Sequence, residues 1–66
     1  MQAQHVTQMQ FLSDKSVAKR YEISRQSVWR WTQEGKIPRP VKLTNGSTRW
    51  KLTDLEQWEA QREVQA

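Results

Sequence analysis

Between Ser24 and Pro38 this 66-residue chain has little choice of structure. The run Ser24-Arg25-Gln26-Ser27-Val28-Trp29-Arg30-Trp31 begins with a good helix N-cap, a hydroxyl that accepts from a first-turn N–H. Gly35 supplies the left-handed residue that ends a helix, and Pro38 prevents its resumption. The spacing predicts a helix from Ser24 to about Glu34. On it Gln26, Trp29, Arg30 and Gln33 share one face at i, i+3, i+4 and i+7. Val28 and Trp31 fall on the other side. An apolar inner face and an Arg/Gln/aromatic outer face suit a helix that enters a major groove.

Upstream, Ser13-Asp14 reads as a second helix start, with Ser as the cap and Asp in the first turn, where the helix dipole favours negative charge. This helix should run to about Tyr21. Val17, Ala18 and Tyr21 face inward, and Lys15 and Lys19 form the outer row. Glu22-Ile23 makes a short turn with Ile23 buried. Two helices so closely joined form a helix-turn-helix. The same pair also fits an αα-corner with no DNA role; the outer face of the second helix favours DNA.

Downstream, Ile37-Pro38-Arg39-Pro40 is extended, because a residue before Pro is pushed out of the α region. Asn45-Gly46 between strand-like residues then signals a two-residue hairpin turn. That turn predicts the pairs Thr44–Ser47, Leu43–Thr48, Lys42–Arg49 and Val41–Trp50. Val41, Leu43 and Trp50 would lie on one face of the ribbon, and Lys42, Arg49 and Lys51 on the other. An apolar side toward the helices and a cationic side toward phosphate is the pattern of a wing. The alternative is a structural hairpin with a solvated face. Like charges opposite each other at Lys42 and Arg49 would disfavour pairing unless an anion relieved them.

Thr53-x-x-Glu56 has the form of a capping box and predicts a third helix. Leu55 and Trp58 face inward, with the Arg62 stem over the ring. Glu56, Glu59 and Glu63 form an acidic stripe. It either solubilises the helix or meets a basic surface on another copy or another protein. The order helix, helix, hairpin, helix gives an α+β fold, mainly helical, of winged helix-turn-helix type.

Composition limits the possible chemistry. The chain allows one domain, residues 11–66, preceded by a Gln-rich, nearly uncharged segment, 1–10, that reads as a flexible arm. Hydrophobic residues make up only 35%, so the four Trp must supply much of a small core. With no Cys there is neither a disulfide framework nor a thiol nucleophile. The single His, His5, lies in the polar arm, where solvation is its expected state. No cofactor, metal site or enzymatic activity is expected. No apolar run is long enough for a membrane span or a signal-peptide core, and a cytoplasmic location is expected.

Charge divides the chain. Between Ser13 and Lys51 stand ten basic residues, Lys15, Lys19, Arg20, Arg25, Arg30, Lys36, Arg39, Lys42, Arg49 and Lys51, against Asp14, Glu22 and Glu34. From Leu52 onward Arg62 stands alone against Asp54, Glu56, Glu59 and Glu63. A basic body with an acidic last helix points to a polyanion-binding face and a second face turned away from it.

The Ser24–Trp31 run, the stretch Glu34-Gly35-Lys36-Ile37-Pro38-Arg39-Pro40-Val41-Lys42-Leu43 and the triplet Thr48-Arg49-Trp50 resemble AlpA-like prophage regulators and related phage excisionases. The resemblance covers about Leu12 to Trp58. It implies a MerR-like winged-helix DNA-binding domain that serves as a transcription regulator, a recombination directionality factor, or both. By resemblance, the helix from Arg25 to Gln33 is the recognition helix and Arg49 sits on the wing. The implied partners are double-stranded DNA, further copies of the chain on tandem sites and a phage-type integrase, in a bacterial cytoplasm at the nucleoid. Trp29 stands where a Tyr-like ring is expected, and Trp31 where an aliphatic residue is common.

Side-chain chemistry assigns the expected contacts. Gln26 and Arg30 are suited to base edges, since Gln pairs with adenine and Arg with guanine. Arg25 and Ser27 fall near phosphate, with a base also within reach of Ser27, and Gln33 extends the same face. Trp29 either lies against the sugar-phosphate backbone or packs in the core. Lys42, Arg49 and Lys51 hold the adjacent backbone, with Arg49 able to enter the minor groove. A competing expectation is a protein-interaction module that inhibits a regulator or recruits an integrase without a DNA site of its own.

Overall fold

A computed structural model describes residues 10–65. The elements are β1 (Phe11–Leu12), α1 (Asp14–Tyr21), α2 (Arg25–Gln33), β2 (Val41–Thr44), β3 (Ser47–Lys51) and α3 (Leu52–Gln65). The fold is α+β: three helices and a small antiparallel sheet ordered β1-β3-β2, as a winged helix-turn-helix requires. His5, most of the expected arm and the side chain of Glu63 lie outside the described residues.

Both helix starts form as the sequence predicts. The Ser13 hydroxyl accepts from the Ser16 N–H and that of Ser24 from the Ser27 N–H, each at 3.1 Å. Both helices also end alike. Gly35 takes φ +74°, and the Lys36 N–H returns to the Trp31 carbonyl at 2.8 Å. At the end of α1 the left-handed position belongs to Glu22, φ 57°, and the Ile23 N–H returns to the Ala18 carbonyl at 2.9 Å. That bond swings the chain sharply from α1 into α2 and turns Ile23 against the core.

The core consists of Val17 and Ala18 from α1, Val28 from α2, Ile37 from the connecting segment, Trp50 from β3 and Leu55 from α3. Trp50 is fully buried, and its indole N–H donates to the Pro38 carbonyl at 3.0 Å. One ring thus fastens the extended Ile37–Pro40 segment to the sheet while filling the space between helices. Leu12, Tyr21, Ile23, Trp31 and Trp58 pack around this centre, half-buried.

Two expectations are corrected, and one strand is added. In the hairpin, Val41 pairs with Arg49, Lys42 with Thr48, and Thr44 with Ser47. Leu43 is an extra residue in a bulge and stands 48% exposed, instead of opposing Thr48 in the apolar face. The bulge removes the Lys42–Arg49 opposition, so the like-charge conflict does not arise. It also breaks the clean apolar/cationic division, since Val41 now opposes Arg49. Secondly, α3 begins at Leu52, directly after β3, so Thr53 is its second residue and not its N-cap. The Leu52 N–H instead finds the Gln10 carbonyl at 2.9 Å. The added strand is Phe11–Leu12, for which the sequence predicts no element; it pairs with Lys51 and Trp50 of β3.

Candidate nucleic-acid interface

The N-terminal half of α2 and the β2–β3 hairpin flank one open cleft of about 310 Å³, lined by Asp14, Arg25, Trp29, Gly46, Thr48 and Arg49. The fold brings Arg25 and Trp29 of the second helix together with Arg49 of the wing, although they lie some twenty residues apart in sequence. Gly46 takes φ +82° at the turn, a conformation that L side chains rarely adopt, which keeps the tip beside the helix narrow.

Along α2, Gln26, Arg30 and Gln33 are exposed and continue the outer face away from the cleft. Val28 is buried beneath them, so the helix cannot rotate without losing core contacts. Ser27 is half-buried; its hydroxyl accepts from the Ser24 hydroxyl at 3.0 Å and from the Arg30 guanidinium at 3.5 Å. On the wing, the Arg49 guanidinium donates to the Thr48 carbonyl at 2.9 Å, and Lys42 is exposed opposite Thr48. Lys51 lies at the other end of β3, beside Phe11, so it is the one expected wing cation remote from the turn.

Of the two alternatives left open by the sequence, packing against the core is observed for Trp29, and the residue is also partly exposed. Its ring packs against that of Trp50 in a tilted contact, centroids 5.0 Å apart and planes inclined by 60°. The ring still stands 38% exposed in the cleft, and its indole N–H donates to the Asp14 carboxylate at 2.9 Å. The same carboxylate oxygen accepts from Arg25 at 3.2 and 3.3 Å. Sequence reasoning assigned Asp14 only a helix-dipole role; its partners sit eleven and fifteen residues away, and no local spacing signals them. Trp29, then partial burial working in the opposite sense, then Arg25 set the Asp14 carboxyl, which ends below the usual carboxylate range.

The acidic helix is partly engaged within the molecule. Glu59 accepts from Arg20 at 2.6 and 2.7 Å and from the Tyr21 hydroxyl, tying α3 to α1. Glu59 is therefore already paired within the chain, and the acidic stripe read from the sequence is interrupted there. Arg62 does lie over Trp58, but it is the guanidinium, 4.4 Å from the ring centroid, that makes the contact, where the sequence predicts the stem. Arg20, Arg25 and Lys36 are paired with acids, whereas Arg30, Arg39, Lys42 and Arg49 make no ion pair among the described residues. Lys15, Lys19, Lys51 and Arg62 likewise stand outside these pairs, so basic side chains without an ion pair run along α2, the hairpin and the segment joining them and also along the outer row of α1. Among the described residues, no group of acidic or His side chains is placed to hold a metal ion, and no helix is long and apolar enough to cross a membrane.

No curated protein and no solved structure matches the chain significantly. Residues 11–63, most of the chain, match a family described as a helix-turn-helix domain. Taken with the capped helix pair, the wing and the exposed cationic face, that match places the chain in the helix-turn-helix domain family, a family that includes AlpA- and excisionase-like DNA-binding proteins.

Proposed function

We propose that this chain is a sequence-specific double-stranded DNA-binding protein of a prophage or similar mobile element, acting as a recombination directionality factor, an AlpA-like transcription regulator, or both. The observation that carries the reading is the joining of α2 and the β2–β3 turn around one cleft, with Arg49 in its lining making no ion pair among the described residues. In this reading α2 enters the major groove. Gln26 and Arg30 meet base edges, Gln33 continues along the groove, and Arg25, Ser27 and Trp29 lie against sugar and phosphate. Lys42 and Arg49 hold the neighbouring backbone, while Lys51, at the far end of β3, adds to the attractive field.

One short recognition helix reads few base pairs, so useful specificity calls for several copies on tandem sites, and the excisionase reading adds an integrase as partner. DNase footprinting across the protein's own promoter and the nearest attachment site tests this. Protected tandem repeats beside the attachment site, with hypersensitive bands marking bends, support a directionality factor. Protection confined to a promoter supports a regulator. Absence of any footprint at low salt refutes both and leaves the protein-interaction module, whose main support, the acidic stripe, is weakened by the internal engagement of Glu59.

A further inference from the structure

A carboxylate inside a DNA-binding cleft repels phosphate, so its presence there calls for a compensating function. The Asp14 side chain is 19% exposed and lines the cleft together with Arg25, Trp29 and Arg49. It stands in the first turn of α1, yet both of its side-chain donors come from α2. The indole N–H at 2.9 Å restrains the rotation of the Trp29 ring, and Trp50 packs against that ring at a 60° tilt. The Arg25 guanidinium, 62% exposed, is held toward the same oxygen from the solvent side. Two groups facing the ligand are thus oriented by one anchor on the other helix.

We propose that Asp14 is a positioning residue for DNA recognition, which holds the Trp29 ring and the Arg25 guanidinium in their DNA-facing orientations before DNA arrives. This inference rests on the DNA-binding reading given above. Long side chains that are ordered beforehand lose less freedom on binding. The gain is largest on DNA whose backbone follows the orientation already set, and small on DNA that the protein contacts loosely. Asp14 therefore acts on discrimination, in the opposite sense to its charge.

The opposition of signs gives the test. Duplexes selected from a random pool by the wild-type protein are compared with an unselected duplex of equal length, for wild type and Asp14→Asn, with thermal midpoints measured alongside. Simple removal of a negative charge tightens binding to both duplexes. The positioning role instead predicts about three- to tenfold weaker binding to the selected duplex, with the unselected duplex bound equally well or more tightly. If Asp14→Asn does not fold, Asp14→Ser, whose shorter side chain withdraws from both donors while Trp29 and Arg25 are kept, is measured in its place and should show the same loss of preference. Unchanged or improved binding to the selected duplex overturns the proposal. So does a parallel loss on both duplexes, which marks a merely structural role. Wild-type protein that binds neither duplex overturns the DNA-binding reading itself, and this inference with it.

Discussion

Glu22 ends α1 with φ 57°, a backbone region that glycine occupies without the Cβ clash other residues meet. Its counterpart after α2 is a glycine, Gly35. Glu22→Gly relieves the clash but enlarges the freedom of the unfolded chain, so chemical denaturation should show a net gain of no more than about 1 kcal/mol. On the proposed reading, exposed side chains of the outer face such as Arg30 bear on DNA binding more than on stability. Arg30→Ala should lose roughly 1–3 kcal/mol of binding and relax preference at one base pair, as read by competition among single-base variants of the site. Arg49→Ala should weaken all duplexes similarly and reduce the slope of log affinity against log salt by about one. An Arg49→Ala protein with unchanged affinity and slope would remove the wing from the interface.

At the scale of elements, the helices were legible because their signals are local. Ser13, Ser24 and Gly35 each act within one turn, and the inward positions Val17 and Val28 follow from period alone. The turn at Asn45-Gly46 was equally local, but the register beyond it was not. A hairpin register counted outward from the turn assumes an unbroken ladder, and the bulge at Leu43 adds a residue to one strand only. Nothing beside Leu43 in sequence marks the bulge. The pairing of β1 with β3 and the Asp14–Trp29 bond were hidden because each joins distant segments. Leu43→Thr distinguishes the two registers. In the observed one Leu43 is exposed, and its replacement should shift stability by no more than about 0.5 kcal/mol in denaturant titration. A core-facing Leu43 would cost several times as much.

For the whole molecule, α3 is held to the helix pair by Leu55, by the Tyr21–Trp58 edge contact at 5.6 Å and by the Arg20–Glu59 pair. Arg20 in the first place, with Tyr21 assisting, holds the Glu59 carboxyl below its ordinary range, against partial desolvation. A carboxylate depressed in the folded state contributes stability above its unfolded pKa of about 4.3 and loses it as pH falls through the lower folded value. Thermal midpoints should therefore fall on acidification below about pH 4, and Glu59→Gln should be less stable at neutral pH with a shallower acid slope. An acid slope identical in the two proteins would show that the pair does not contribute. The proposed DNA-facing side is instead α2 and the hairpin, where Arg30, Lys42 and Arg49 make no ion pair among the described residues. That arrangement is tested most directly by titrating ¹⁵N-labelled protein with a selected duplex and following amide and indole resonances. Shifts and broadening concentrated at Arg25–Gln33, at the Asn45–Gly46 turn and at the Trp29 indole, with Glu56 and Gln57 of α3 unmoved, are the predicted result. Perturbations centred on α3, or none at low salt, would contradict it.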